Sequence, residues 1–118
     1  MNKYLFIIAG LFFFICSSVN AQLIKTTLQI TVRNGLGNLE QGAKVTLYLS
    51  KEDYEKSINP ATAPMETDKS GKATFKDIEA KAYYIQVEKG DLDNSGAGEI
   101  IEKLEPNRIN KSTIVISE

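Results

Sequence analysis

The sequence predicts an all-β protein, a seven-stranded antiparallel Greek-key β-sandwich preceded by a signal peptide. Two observations predict this fold. Apolar side chains recur at every second position in several short runs, which is the period of a half-buried strand. Turn residues separate these runs, and no long segment has helical periodicity. Because a sheet with one polar and one apolar face must cover its apolar side, we expect two sheets packed face to face.

Residues 1–21 have the order of segments that is typical of a cleaved export signal. Lys3 supplies a positive charge, and residues 4–16 form an apolar run. Small residues then lead to Ala21, and the expected cut lies before Gln22. We therefore expect the mature protein to be exported.

The sequence disfavours two alternatives to a cleaved leader. The apolar run is shorter than the roughly 20 residues that span a bilayer, which disfavours a retained transmembrane helix. Cys16 raises the alternative of a lipid-modified bacterial lipoprotein, but bulky residues precede it where processing requires small ones. We expect residues 22–118 to form one monomeric domain that is periplasmic or secreted, with the membrane involved only through the export signal.

The composition of the mature chain excludes several functions. Removing 21 residues from 118 leaves 97 residues without His or Cys. This excludes Ser-His-Asp and Cys-His catalysis, zinc sites built from these residues, and disulfides. With 13 basic and 15 acidic side chains, the domain lacks the positive field of a nucleic-acid-binding protein. Paired carboxylates remain an enzymatic route, but so small a domain leaves little room for a substrate cleft, so we predict no enzyme activity.

Apolar alternation indicates three strands in the N-terminal half: residues 27–33, 44–50 and 65–67. Gly and Asn residues at 34–38 tolerate the backbone conformations of the turn that follows the first strand. The polar segment 51–59 is interpreted as a loop, because Pro60 and Pro64 prevent a longer helix.

The C-terminal half contains four further predicted strands: residues 72–76, 83–88, 99–104 and 113–117. Asp68 and Gly71 open and close a tight turn before the first of them. Residues 90–98 form a glycine-rich acidic loop. The alternation places the rings of Phe75 and Tyr83 between the two sheets.

Three segments resemble carboxypeptidase regulatory-like domains. They read Gly42-Ala43-x-Val45-x-Leu47-Tyr48, Thr67-Asp68-x-x-Gly71-x-Ala73-x-Phe75-x-x-Ile78 and Tyr83-Tyr84-Ile85-x-Val87. The resemblance implies a transthyretin-like (prealbumin-like) sandwich close in architecture to the Cna-B repeats of bacterial surface proteins. The Phe-rich leader is similar to those of exported Bacteroidetes proteins.

The resemblance implies a binding or structural module at the cell envelope, whose partner is an envelope protein or a glycan. The metal motif of the zinc peptidase that such domains accompany requires His, and the sequence contains none. Hydroxyisourate hydrolase, an enzyme with the same fold, also depends on His residues. We therefore expect no catalytic residues and no resident cofactor, with strand edges or loops as the recognition surface.

The acidic loop supports an alternative, a calcium-stabilised adhesin-like module. Asp91, Asp93, Ser95 and Glu102 follow the spacing of oxygen ligands in a calcium loop, and Gly96 stands at the turning position. The loop follows a strand instead of a helix, however, and Glu102 falls within a predicted strand. The other interpretation is a solvated hairpin loop turned by its Asp, Asn and Gly residues.

Tyr48, Tyr54 and Tyr84 are predicted to lie on polar sheet faces or in a loop. Exposed tyrosines often anchor recognition, so carbohydrate or peptide binding is one interpretation. Cross-strand packing against neighbouring Thr and Lys side chains is the other, and it is the more common arrangement.

The likeness to Cna-B domains also implies a hypothesis of a Lys–Asn isopeptide bond promoted by a buried acid. The candidates are Lys25 or Lys44, Glu79 or Glu88, and Asn110. The lysines fall on polar positions or at strand ends, and burying a charged amine is costly. The sequence therefore disfavours this bond.

Overall fold

The computed structural model describes residues 24–96 and 99–118, which form a β-sandwich of two sheets with one short helix. The strands are β1 (Thr27–Asn34), β2 (Lys44–Tyr48), β3 (Met65–Glu66), β4 (Lys72–Phe75), β5 (Tyr83–Lys89), β6 (Leu92–Asp93), β7 (Ile100–Ile101) and β8 (Ile109–Ile116). The helix α1 (Lys51–Lys56) lies between β2 and β3. In these described ranges, no helix has the length and apolarity needed to cross a membrane. The predicted signal peptide, residues 1–21, lies outside them.

The two sheets have three and five strands. The smaller sheet has the order β4-β1-β8, and the larger has β3-β2-β5, with β6 and β7 both paired to the outer edge of β5. Most pairs are antiparallel, but β1 and β8 are parallel over their full length. The all-β sandwich is therefore confirmed, whereas the prediction of seven purely antiparallel strands is wrong. Parallel partners need a long connection between them, and here the rest of the domain provides it.

The core lies between the inward faces of the two sheets. Apolar side chains from β1, β2, β5 and β8 fill it, and they are almost completely excluded from solvent: Leu28, Ile30, Val32, Val45, Leu47, Ile85, Val87, Ile114 and Ile116. Phe75 and Tyr83 are 4% and 2% exposed, so their predicted position between the sheets is confirmed. The Tyr83 hydroxyl donates to the carbonyl of Glu79 at 2.7 Å, which satisfies its polar group.

The polar segment after β2 is helical, so its interpretation as a loop was wrong. The Ser50 hydroxyl accepts a hydrogen bond from the backbone N–H of Asp53 at 3.1 Å and caps the first turn of α1. Lys56 pairs with Glu52 one turn away at 2.8 Å, and Ser57 ends the helix in the left-handed conformation. The helix is complete before the prolines are reached, so they do not oppose it.

The predicted turn before β4 is present. The Asp68 carboxylate accepts hydrogen bonds from the backbone N–H groups of Ser70 at 2.8 Å and Lys72 at 3.0 Å. The N–H of Gly71 donates to the Asp68 carbonyl at 2.9 Å, and Gly71 has a φ of 72°. Asp and Gly are thus required by the turn itself.

Thr67, which precedes this turn, connects two loops inside the protein. Its hydroxyl donates to the carbonyl of Glu40 at 2.6 Å and accepts from the N–H of Ala43 at 2.9 Å. Thr67 is 4% exposed. The Thr-Asp-x-x-Gly segment therefore has a structural role. Its first residue satisfies the hydrogen bonds of buried backbone groups, and its next residues form the turn.

Candidate functional site

The outer face of the five-stranded sheet carries three tyrosines in contact. Tyr48 on β2 and Tyr84 on β5 are cross-strand partners, and Tyr54 of α1 lies against both. The Tyr54 ring centroid is 6.0 Å from that of Tyr48, with an interplanar angle of 75°. It is 5.9 Å from that of Tyr84, at 31°. These distances and angles fall within the range of favourable aromatic pairs. We call the three residues the tyrosine cluster.

The cluster holds α1 on the sheet and changes what is exposed there. Tyr48 is 3% exposed and Thr46 is 5% exposed, because the helix covers β2. The prediction that Tyr48 lies on a solvated face is therefore wrong, since an alternating pattern identifies a sheet face but not the element that covers it. Tyr54 and Tyr84 remain partly exposed, so the accessible part of the cluster lies on α1 and β5.

Hydrogen-bonding groups surround the accessible rings. The Tyr48 hydroxyl donates to the side-chain oxygen of Gln86 at 3.3 Å. Burial raises the pKa of the Tyr54 phenol, and the negative charges of Glu99 and Asp93 raise it further. The Tyr54 hydroxyl therefore stays protonated at neutral pH, next to two carboxylates that can accept hydrogen bonds.

An exposed aliphatic side chain extends the same surface. Ile100 on β7 pairs with Tyr84 and is 60% exposed. We call the tyrosine cluster together with Gln86, Asp93, Glu99 and Ile100 the tyrosine face. It combines apolar surface with hydrogen-bond acceptors, the composition that small-ligand and glycan sites need.

The residues of the predicted calcium loop occupy separate positions along the β5–β6–β7 edge. Asp91 is exposed in the turn before β6, Asp93 lies within β6, and Glu102 is exposed just after β7. The Asp93 carboxylate accepts a hydrogen bond from the N–H of Ser95 at 3.0 Å. In the described parts of the chain, which exclude loop residues 97 and 98, no three His, Cys, Asp or Glu residues cluster as metal ligands. Calcium binding remains a prediction.

The same loop contains a buried residue with a structural role that the sequence pattern did not predict. Asn94 is 1% exposed, and its side chain accepts from the N–H of Val87 and donates to the carbonyl of Ile85, both at 2.9 Å. The Glu99 carboxylate also accepts from the N–H of Gly96. The signal in the sequence that could have indicated this role is the chemistry of Asn, because its side-chain amide both donates and accepts hydrogen bonds, as the backbone of a strand does.

Two cavities lie away from the tyrosine face. A groove of about 640 Å³ runs beside β3 and β4, lined in part by Met65, Phe75 and Ile78. A smaller cavity of about 190 Å³ includes Asp77 and Glu79 in its lining. Both carboxylates are exposed, and Glu79 is ion-paired with a lysine at 2.8 Å. These two carboxylates are therefore open to solvent and not buried together.

The isopeptide candidates do not form a buried group. Lys44 lies opposite Glu88 in the five-stranded sheet, whereas Asn110 lies on β8 in the other sheet. Lys25, Lys44 and both glutamate candidates are exposed. The Asn110 amide instead donates to three backbone carbonyl groups at 3.1–3.3 Å, which fixes the loop before β8.

Comparisons with known proteins give structural similarity only. No protein-family model matches the chain, and no curated protein matches it. The Bacillus anthracis TIE protein is similar with a TM-score of 0.55 and 19% identity, over 79% of this chain and 17% of that chain. A Pseudomonas aeruginosa protein proposed to bind carbohydrate is similar with a TM-score of 0.45 and 14% identity, over 80% of this chain and 90% of that chain. This chain thus spans less than a fifth of the length of the Bacillus anthracis protein, with which it shares the fold.

Proposed function

We propose that this protein is an exported, monomeric, non-enzymatic module that binds a glycan at the cell envelope through the tyrosine face. We also propose that the chain is a carboxypeptidase regulatory-like domain with Greek-key topology. This part of the proposal is supported by the three segments that resemble this family, residues 42–48, 67–78 and 83–87. The observation that carries the function is the partly exposed pair of Tyr54 and Tyr84, bordered by the carboxylates of Asp93 and Glu99.

The chemistry of a sugar ring fits this surface. One face of a pyranose presents C–H groups, which pack against the electron-rich face of an aromatic ring. Its hydroxyl groups need acceptors, which Asp93, Glu99 and Gln86 supply beside the rings. The exposed side chain of Ile100 adds apolar contact area next to Tyr84. A bound sugar would therefore find both stacking and hydrogen-bonding partners.

The fixed position of Tyr54 favours ligand binding. Tyr54 lies on a helix that is capped at Ser50 and packed on β2 and β5, so its ring is held in place before any ligand arrives. Preorganisation of this kind reduces the entropy lost on binding. The proposal of an exported protein is supported by the leader-like residues 1–21.

Titration with neutral hexasaccharides tests the proposal. Amide chemical shifts of the full chain are followed by NMR during addition of glucose-, mannose-, xylose- and N-acetylglucosamine-based hexasaccharides. We expect at least one of them to shift resonances of α1, β5 and β7 and to leave those of β8 unchanged. Mass spectrometry of the sugar after overnight incubation should show it intact, whereas hydrolysis products would overturn the non-enzymatic assignment.

Variants locate the binding site. Tyr84→Ala should abolish the shifts, and Tyr84→Phe, which keeps the ring, should retain most of the affinity. Ile109→Ala is the matched control, because Ile109 is an exposed apolar residue on the other sheet. Each variant is first checked for an unchanged melting transition. Absence of binding to every hexasaccharide, or equal losses in Tyr84→Ala and Ile109→Ala, would overturn the proposed glycan site.

A further inference from the structure

The three-stranded sheet differs from the rest of the molecule in charge. Its strands β1, β4 and β8 contain three basic residues, Arg33, Lys72 and Lys111, and no Asp or Glu. The full sequence, in contrast, has 15 acidic and 14 basic side chains. The positive charge of this sheet is therefore local and not a consequence of the overall composition.

The register places these basic side chains on one face. Thr31 of β1 pairs with Lys72 on one side and Thr113 on the other, while Gln29 pairs with Lys111. Arg33 lies two residues beyond Thr31, on the same side of β1. The set alternates with the buried core positions, so it points outward.

We call this surface the basic face, and its members span three adjacent strands: Gln29, Thr31, Arg33, Lys72, Thr74, Lys111 and Thr113. Neighbouring strands are about 5 Å apart, and same-face residues along a strand are about 7 Å apart. The cations are therefore spread over three strands that are together about 10 Å wide, with hydroxyl and amide groups between them and the exposed side chain of Val115 beside Arg33.

The basic face is exposed, and among the residues that the structure describes its cations have no acidic partners. Helix α1 packs on the other sheet, and Arg33, Lys72 and Lys111 are all exposed. In residues 24–96 and 99–118, none of these three lies within 4.0 Å of a carboxylate, whereas Lys56 and Lys89 are ion-paired. One nitrogen of Arg33 donates to the carbonyl of Gly37 at 2.8 Å, which orients its guanidinium.

We propose that the basic face binds one strand of an acidic polysaccharide. Its exposed surface is accessible to an extended chain, its three separated cations complement carboxylates repeated along such a chain, and its threonine and glutamine side chains can bond sugar hydroxyls. The face has no aromatic residue for base stacking, and three charges on a domain with excess acid do not produce the dense field that nucleic acids require. The proposal is independent of the tyrosine face, which lies on the opposite sheet.

Binding to polygalacturonate tests this proposal, with its fully methyl-esterified, uncharged form as the matched ligand control. The affinity of the full chain for each polymer is measured by isothermal titration calorimetry. We expect binding to polygalacturonate and none to the methyl ester. Because about three charges are neutralised, the affinity should fall roughly 20-fold when salt rises from about 50 to about 200 mM.

Charge-matched variants locate the site. The triple variant Arg33→Gln, Lys72→Gln, Lys111→Gln should weaken binding by at least about tenfold, through loss of the charge contacts. The control Lys51→Gln, Lys56→Gln, Lys103→Gln removes the same charge elsewhere and should change the affinity less than about twofold. Both are checked for an unchanged melting transition, so that a folding defect is not taken for loss of binding.

Three results would overturn the proposal. The first is no binding of the wild-type chain to polygalacturonate. The second is an equal loss of affinity in the two triple variants, which would indicate a general charge effect. The third is tighter binding of a duplex DNA or of phosphatidylglycerol vesicles than of the polysaccharide. Failure of the hexasaccharide titration leaves these measurements unaffected, since they use different variants and a charged ligand.

Discussion

The side chain of Asn94 takes the place of a strand backbone opposite Val87. Its oxygen accepts the N–H of Val87 at 2.9 Å, and its amide nitrogen donates to the carbonyl of Ile85 at the same distance. Asn94 lies in the gap between β6 and β7, which pair with the two ends of β5. The edge of β5 is thereby satisfied where no strand covers it, and this edge also supports the tyrosine face.

Replacing Asn94 with Ala should destabilise the fold strongly. Two buried backbone groups would lose their partners, and each costs about 1–3 kcal/mol when left unsatisfied, so we expect a total loss of about 2–6 kcal/mol. Urea denaturation followed by circular dichroism measures this difference. Asn38→Ala, at an exposed position, is the control and should change the stability by less than about 0.5 kcal/mol. A loss no greater than that of the control would show that the two bonds do not stabilise the edge.

Glu40 connects β1 to β5 and should make stability depend on acid pH. Its carboxylate accepts hydrogen bonds from Lys89 at 2.7 Å and from Asn34 at 2.9 Å. These two bonds, first that of Lys89, hold the pKa of the Glu40 carboxyl below its ordinary value of 4.5. Because the folded state binds this proton less readily than the unfolded chain, the stabilisation is complete well above pH 4.5 and is lost as pH falls through the folded pKa.

The variant Glu40→Gln therefore should have a lower melting temperature than wild type near neutral pH, and the difference should shrink towards zero in strong acid. Thermal melts at a series of pH values measure it. In the background of Lys89→Gln, which removes the main partner, the effect of Glu40→Gln should be smaller at every pH. A melting difference that stays constant down to the lowest pH would contradict the assigned role of Glu40.

The alternative calcium module can be tested on the unmodified protein. Asp91, Asp93 and Glu102 lie at separate positions along the β5–β6–β7 edge, so we expect the same melting temperature in calcium and in chelator. A site with a dissociation constant of about 1 mM would instead add about 1.4 kcal/mol at about 10 mM calcium, which corresponds to several degrees. A rise of that size, with none in magnesium at equal concentration, would contradict this expectation and support the calcium module predicted for Asp91, Asp93, Ser95 and Glu102.

The features that the sequence predicted correctly are set by local patterns. Phe75 and Tyr83 stand at inward positions of runs with period two, so their burial follows from strand geometry alone. The turn at Asp68 and Gly71 follows from the chemistry of those two residues. Each prediction needed only a few neighbouring residues, and each agrees with the global fold.

The features that were missed depend on partners distant in the chain. Tyr48 alternates as an outward residue, and it is buried because α1 folds back over its strand. The parallel pairing of β1 with β8 joins the two ends of the domain. The candidate site also depends on contacts between distant parts of the chain, since its tyrosines come from β2, α1 and β5. Strand periodicity indicates which residues share a face, but it does not specify which elements meet on that face.

Gly71 provides the sharpest test of the predicted turn, because two separate effects act there. Its φ of 72° strains any residue with a side chain, and an added Cβ would lie 3.0 Å from the carbonyl oxygen of Val32. Gly37 is the matched control, with a φ of 86° and no atom within 4 Å of an added Cβ. We expect Gly37→Ala to cost about 1 kcal/mol from backbone strain, and Gly71→Ala at least about 2 kcal/mol because β1 must also shift. Chemical denaturation of both variants measures the difference, and equal losses would show that the close approach to Val32 has no energetic consequence.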